Sequence, residues 1–439
     1  MDFFGSYPLI IAGCLIILLS FIFTKLANKT NVPAVLMLIG LGVLIQYGLK
    51  LMKVPEIDFF PILEVIGIIG LIMIVLEAAL ELELKKDKTK VIFKSFMVAT
   101  LGLGLSLLAA SAIIFYLVPD MDWFTALLYA TPLSILSSAI IIPSVGNLSE
   151  EKKEFHVYES TFSDIIGIML FYFVLNVTEF QNPNTLDASE AMHPMLSFII
   201  SIGISVFVAF VASYLLLYIF QFINDGARLF LLISLLVLLY AVGKMMHLSP
   251  LIIILVFGVI VQNNELFYRG FLRKYFHKEK FEILKRELHV ITMESAFVVR
   301  TFFFVIFGVS ILVSSLFSLK VFGVSLLLLV SIYAIRWLFL RAFMGFDIFP
   351  QLWIAPRGLI TVLLYYAIPQ EYSNASFDSG ILLFIIIATS LIMTWGLVRS
   401  ARIKDIPLII NPGFNEDEAL DQDTTLNIDE ENEGRNSDD

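Results

Sequence analysis

The sequence predicts an all-α polytopic membrane protein of about thirteen transmembrane helices, and three observations carry that reading. Hydrophobic residues fill 59% of the 439 positions and charged residues only 15%, with a mean hydropathy of +0.89. A water-soluble globule has no place for so much apolar surface. Apolar runs of roughly 18 to 25 residues, long enough to cross about 30 Å of hydrocarbon, recur along nearly the whole chain. The runs lack the alternation of barrel strands, and lipid satisfies no backbone hydrogen bond, so they must be helical.

Taken in order, the first two spans are Pro8 to Lys25 and Val32 to Leu49, with Lys29 between them. The third, Ile62 to Leu80, carries Glu77 at membrane depth and leads into the basic cluster Lys85 to Lys94. The fourth, Ser95 to Leu117, ends at the acidic link Val118 to Asp122. The fifth, Trp123 to Val145, holds Ala130-Thr131-Pro132 in mid-span. Proline removes a backbone donor and crowds the preceding turn, so the helix is expected to break there, a simple kink being the alternative. The sixth, Phe155 to Val177, follows Lys152 and Lys153 and contains Glu159 and Asp164. Met195 to Phe222, Arg228 to His247 and Ser249 to Val261 come next. Beyond a basic, aromatic-rich stretch lie Met293 to Leu316 with Arg300, Val321 to Phe339 with Arg336, Gln351 to Ile368, and Phe377 to Leu397. Within Gln351 to Ile368 the run Ala355-Pro356-Arg357-Gly358 predicts a second break.

With thirteen spans, the basic clusters Lys25/Lys29, Lys85 to Lys94, Lys152/Lys153, Arg228, Arg269 to Arg286 and Arg399 to Lys404 share one side. The positive-inside rule then puts the N-terminus outside and the C-terminus in the cytoplasm, in a cell (inner) membrane. The first apolar run has no basic flank or small-residue cleavage site, so no cleaved signal is expected. Asn263 to His289 interleaves aromatics with Lys and Arg and reads as an amphipathic helix at the headgroups. The formal charge of -10 resides in the acidic C-terminal stretch, where Arg435 is the only basic residue after Asn411. We read 405–439 as a disordered cytoplasmic tail on a membrane domain of residues 1–404. Cys14 is the only cysteine, which excludes an internal disulfide and a thiolate metal cluster.

Ionisable groups at membrane depth cost a few kcal/mol or more and usually mark an ion or proton path. Asp164 opens the apolar run Ile165 to Val177, and Ser160 lies one turn before it on the same helical face. Their oxygens suit a hard cation and offer nothing to a soft metal. Glu159 and Ser163 lie beside them, again four apart. Arg300 and Arg336 each need an acid or a helix C-terminus as partner. Arg300 reads as a structural counter-charge or as a gating and coupling residue. Paired broken helices point to a midplane site made of half-helix ends and free carbonyls.

These residues, in this order, resemble the monovalent cation/proton antiporters of the sodium/proton exchanger (NhaP-like) family. Ile74-Val75-Leu76-Glu77-Ala78-Ala79-Leu80 resembles its Leu-Phe-Glu-Ala-Gly-Leu stretch, and Ala130-Thr131-Pro132 its unwound Thr-Asp-Pro element. Glu159-Ser160-x-x-Ser163-Asp164 matches the Glu-Ser-x-x-Asn-Asp signature in spacing. Ala334-Ile335-Arg336 and Arg357-Gly358 resemble the arginine that pairs with the signature glutamate and the second broken helix. Two positions depart from the pattern: Ser163 replaces asparagine, and Pro132 follows Thr131 with no aspartate between.

The resemblance implies an inverted-repeat antiporter fold with two crossed broken helices. It implies a six-helix core (about 95–177 and 321–397) moving against dimerisation helices (about 8–80 and 195–316) of a homodimer. The transport residues would be Asp164, Glu159, Arg336 and Arg357, with Arg300, which falls where many exchangers have a neutral residue, added only because of its charge at membrane depth. A monovalent cation would meet Asp164, Ser160, Ser163, Thr131 through its carbonyl, and Glu77 as a supporting acid. Proton and cation then compete for the Asp164 carboxylate, giving Na+ (or Li+) for H+ antiport by alternating access, electroneutral, for pH and sodium homeostasis. K+/H+ exchange is the nearest alternative; a passive channel or a membrane sensor is one from another class, although no repeated carbonyl filter or charged ring is present. No metal-ligand spacing, nucleophile motif or phosphate-binding glycine loop points to an enzyme, and neither a cofactor nor a nucleic-acid partner is expected.

Overall fold

A segment in lipid must satisfy its backbone polar groups internally, and among the described residues every regular element is a helix. The computed structural model describes residues 6–30, 32–52, 60–84, 88–181, 194–220, 228–246, 248, 250–263, 278–310 and 318–404. In chain order the helices are α1 (Ser6–Thr30), α2 (Ala34–Leu51), α3 (Phe60–Glu81), α4 (Thr89–Leu117), α5 (Trp123–Ser134), α6 (Ser138–Ser144) and α7 (Glu150–Gln181). They continue as α8 (Pro194–Phe220), α9 (Arg228–Met245), α10 (Pro250–Gln262), α11 (Lys278–Ser310), α12 (Leu319–Met344), α13 (Leu359–Tyr366) and α14 (Gly380–Lys404). Joining α5 to α6, and the 3-10 turn Gln351–Trp353 to α13, gives the thirteen segments expected from the apolar runs. Among the described residues, eight spans are long and apolar enough to cross a membrane on length and composition alone.

The spans differ from expectation mainly at their ends. Helix α7 starts at Glu150, where Glu150 and Glu151 sit favourably in the first turn of the helix dipole. Helix α11 begins at Lys278 and runs unbroken into the apolar span. The last part of the proposed surface helix, from Lys278 to His289, is therefore the extension of a membrane helix and no separate element. The rest of that stretch, 264–277, and the acidic tail, 405–439, lie outside the described residues. Contacts group Met1–Val398 into one unit and Arg399–Asp439 into a second, of which only the end of α14 is described.

Within the first unit α4 packs against α5, α7 and α12, and α13 against α5. Helices α2 and α3 both pack on α11, and α10 packs on α3 and α8. Van der Waals contact between backbones drives such packing in lipid, so small residues mark the closest approaches. A Cβ on Gly42 would collide with the Val305 carbonyl, and one on Gly308 with the Ile39 carbonyl, which brings α2 and α11 into backbone contact. Ile10, Ile11, Leu15, Leu18 and Phe21 of α1 are exposed, as suits a lipid-facing surface.

The two interruptions set the geometry of the interior. Sequence placed the first at Thr131-Pro132, but α5 continues through Pro132 to Ser134 and the chain unwinds over 135–137. Proline forfeits only its own amide bond to the preceding turn, so the helix survives one more turn. It ends where other partners claim the backbone: Leu136 N–H donates to Ser163 Oγ (3.0 Å) and Ser137 N–H to the Pro356 carbonyl (3.0 Å). The second break falls where expected, over 354–358. The Ser137–Pro356 bond joins the two unwound segments directly, so the broken helices cross.

Gly358 permits that crossing. A Cβ there would lie 2.5 Å from Ser137 Oγ and 2.7 Å from Ile140 Cδ1. Ser137 is pinned by its bond to Pro356 and has little room to yield. Gly358→Ala is expected to destabilise the protein by about 1–3 kcal/mol, the usual cost of overpacking. A wild-type unfolding midpoint for this variant in detergent would contradict the close crossing.

Candidate ion site

Asp164 lies on α7, 2% exposed, and neither of its carboxylate oxygens has a hydrogen-bond partner. The hydroxyl and amide of Ser138, at the start of α6, face it without completing a hydrogen bond. A helix N-terminus presents unsatisfied N–H groups and a partial positive charge, which makes a carboxylate tolerable there. One turn before Asp164, the Ser160 hydroxyl donates to the His156 carbonyl (2.8 Å). Thr131 likewise donates to the Leu127 carbonyl (2.8 Å). Both hydroxyls commit their protons to their own helices and keep lone pairs for a cation. Ser163 accepts from the Leu136 amide and so ties α7 to the first break.

Glu159 is arranged quite differently. Arg336 Nη1 and Nη2 grip its Oε1 and Oε2 at 2.7 and 3.0 Å, while Nε and Nη2 also donate to the Gln351 carbonyl at 3.0 and 2.8 Å. Two parallel charge-assisted bonds of this kind hold both groups ionised in one geometry. His156, 0% exposed, places Nδ1 3.2 Å from Glu159 Oε2. An ionised carboxylate only accepts, so Nδ1 carries the proton. The sequence reading missed His156, although its spacing of three from Glu159 puts both on one helical face.

Arg357 is 2% exposed, and its Nε and Nη1 have no hydrogen-bond partner. It shares a cavity of about 30 Å³ with Ser134, Glu159, Ser163 and Arg336. Arg300 Nη2 meets Glu77 Oε1 at 3.2 Å, which pairs the two remaining membrane charges. That pair lines a larger cavity of about 430 Å³ with Glu81, Glu294 and Ser138. Ser138 thus adjoins Asp164 and also lines this cavity, which Glu77 lines too. Among the described residues no three His, Cys, Asp or Glu side chains converge to hold a metal ion.

A family model described as the transmembrane domain of sodium/hydrogen exchangers matches residues 15–400. The chain belongs to the sodium/hydrogen exchanger family. That family comprises transporters and no enzymes, and this exchanger is a multi-pass membrane protein of its antiporter fold. Its structure is similar to that of the sodium proton antiporter MjNhaP1 from Methanocaldococcus jannaschii at pH 8. The TM-score is 0.65 at 21% identity over 89% of this chain and 94% of the other. An electron-microscopy structure of the same antiporter gives a TM-score of 0.65 at 19% identity over 94% and 99%. No curated protein matches the exchanger significantly in sequence.

Proposed function

We propose that this exchanger moves Na+ (or Li+) against H+ across the cell membrane, one for one, with Asp164 as the shared site. The observation that carries this reading is the contrast between the two buried acids. Glu159 is neutralised by Arg336, whereas Asp164 has no partner. A proton or a desolvated cation satisfies Asp164, and the two exclude each other. Ser160, Ser163 and the Thr131 carbonyl supply the neutral oxygens, and Glu77 with Arg300 lines the approach. Helices α4–α7 and α12–α14 form the moving core, and α1–α3 with α8–α11 the dimerising part of a homodimer. The N-terminus is outside and the tail cytoplasmic, and the exchange serves pH and sodium homeostasis.

The deciding experiment is dissipation of an imposed pH gradient in proteoliposomes on adding Na+, Li+ or K+ in turn. Na+ and Li+ are expected to collapse it; a response to K+ alone would make the protein a K+/H+ exchanger, and a response to none would sink the proposal. Only Asp164 exchanges its load, so the cycle moves no net charge and membrane potential should leave the equilibrium ion ratio unchanged. A steady current that reverses with an imposed potential would demand a second titrating group. Ser160→Ala removes one neutral ligand and is expected to weaken apparent cation affinity while sparing maximal rate. An unaltered affinity with a collapsed rate would remove Ser160 from the coordination shell.

A further inference from the structure

The buried acidic and basic side chains among the described residues are His156, Glu159, Asp164, Arg336 and Arg357. Glu159 and Arg336 cancel each other. The fully buried His156 has an Nε2 with no partner, so a second proton on the ring would find no acceptor and the imidazole is neutral. Asp164 and Arg357 remain, and arginine keeps its proton in proteins. When Asp164 is ionised and unloaded the buried set is therefore neutral; when it carries a proton or a cation the set holds one net positive charge.

Coupled exchange needs the reverse order. The unloaded site must cross the low-dielectric barrier poorly and the loaded site readily, and uncompensated charge is what makes a crossing poor. The side chains alone would favour movement of the unloaded state and let the ion gradients leak. One fixed negative charge beside Arg357 restores the order, leaving the unloaded core negative and the loaded core neutral.

We propose that a small monovalent anion, of the size and chemistry of chloride, binds the Arg357 guanidinium in the small cavity that this residue lines. Two observations meet there. Arg357 Nε and Nη1 are buried donors with no acceptor, and such groups cost free energy until they are satisfied. The cavity, about 30 Å³, has room for a water-sized ion and for little more. Glu159 shares the cavity, but Arg336 and His156 occupy its oxygens and offset its repulsion. The role in coupling rests on the antiport reading above; the binding does not.

The test uses the purified full-length protein in detergent. Its unfolding midpoint is measured in sodium chloride, sodium bromide and sodium gluconate at equal ionic strength. Chloride and bromide are expected to raise the midpoint saturably over gluconate, which is too large for the cavity, and Arg357→Gln should lose that shift. Equal midpoints in chloride and gluconate, or an unchanged shift in the variant, would overturn the site. If the variant does not fold, crystals of the unaltered protein in bromide decide: an anomalous peak against Arg357 supports the site, and none overturns it. Neither readout depends on transport, so a failure of Na+/H+ exchange is separable from a failure of anion binding. In vesicles, the Na+-dependent collapse of a pH gradient should slow when gluconate replaces chloride, because the loaded core then crosses with an uncompensated charge. Equal rates in both anions would refute the coupling role.

Discussion

Asp164→Asn is expected to abolish cation/proton exchange while the protein remains folded and inserted. Asparagine keeps the shape of the aspartate and is neutral, so it imitates the protonated site permanently. It cannot release a proton and has no charge with which to hold a desolvated cation. Both chemical halves of the cycle should stop together.

The structure also fixes the expected effect on stability. Neither Asp164 oxygen has a hydrogen-bond partner to lose, and the group is 2% exposed. Burying a neutral amide costs less than burying a carboxylate. The unfolding midpoint in detergent should therefore equal or exceed that of the unaltered protein, which separates loss of chemistry from loss of fold. The measurement is the Na+-dependent collapse of a pH gradient in proteoliposomes holding equal amounts of each protein. Substantial coupled exchange by Asp164→Asn would end the single-site mechanism.

The spans were legible in the sequence because lipid forces long apolar helices, and even the two interrupted ones kept enough apolar length to be recognised. That each buried arginine needs a partner was legible for a related reason, since a cation at membrane depth is costly alone; the resemblance named Glu159 for Arg336, whereas the pairing of Arg300 with Glu77 was not named by the sequence. What eluded the sequence depends on tertiary partners. The first break lies at 135–137, past Pro132, because Ser163 and Pro356 claim the amides of Leu136 and Ser137. Nothing local encodes those distant acceptors. Ser138 was missed because a serine in a membrane helix ordinarily bonds back to its own turn, as Ser160 and Thr131 do. Its place at a half-helix N-terminus facing Asp164 follows from where the break falls. The extent of α11 was missed because its charged first half, from Lys278, looks interfacial by composition while its backbone continues the span.

Removing either partner of the Glu159–Arg336 pair is expected to destabilise the protein strongly, by about 3–5 kcal/mol, because the survivor is a buried charge without its partner. The surroundings make the two losses unequal. Arg336→Gln leaves Glu159 in a cavity that still contains Arg357 and beside the His156 ring, so part of the charge is offset. Glu159→Gln leaves two guanidinium groups, Arg336 and Arg357, lining the same small cavity without the carboxylate that shares it. The glutamate variant should therefore be the less stable of the two. Combining both substitutions removes one charge of each sign and should recover much of the loss, whichever single variant is worse. Unfolding of all four proteins in one detergent forms a double-mutant cycle, whose coupling energy isolates the pair from its neighbours. Additive damage in the double variant would mean that Glu159 and Arg336 are not partners, and Glu159 would then be free to carry a second proton.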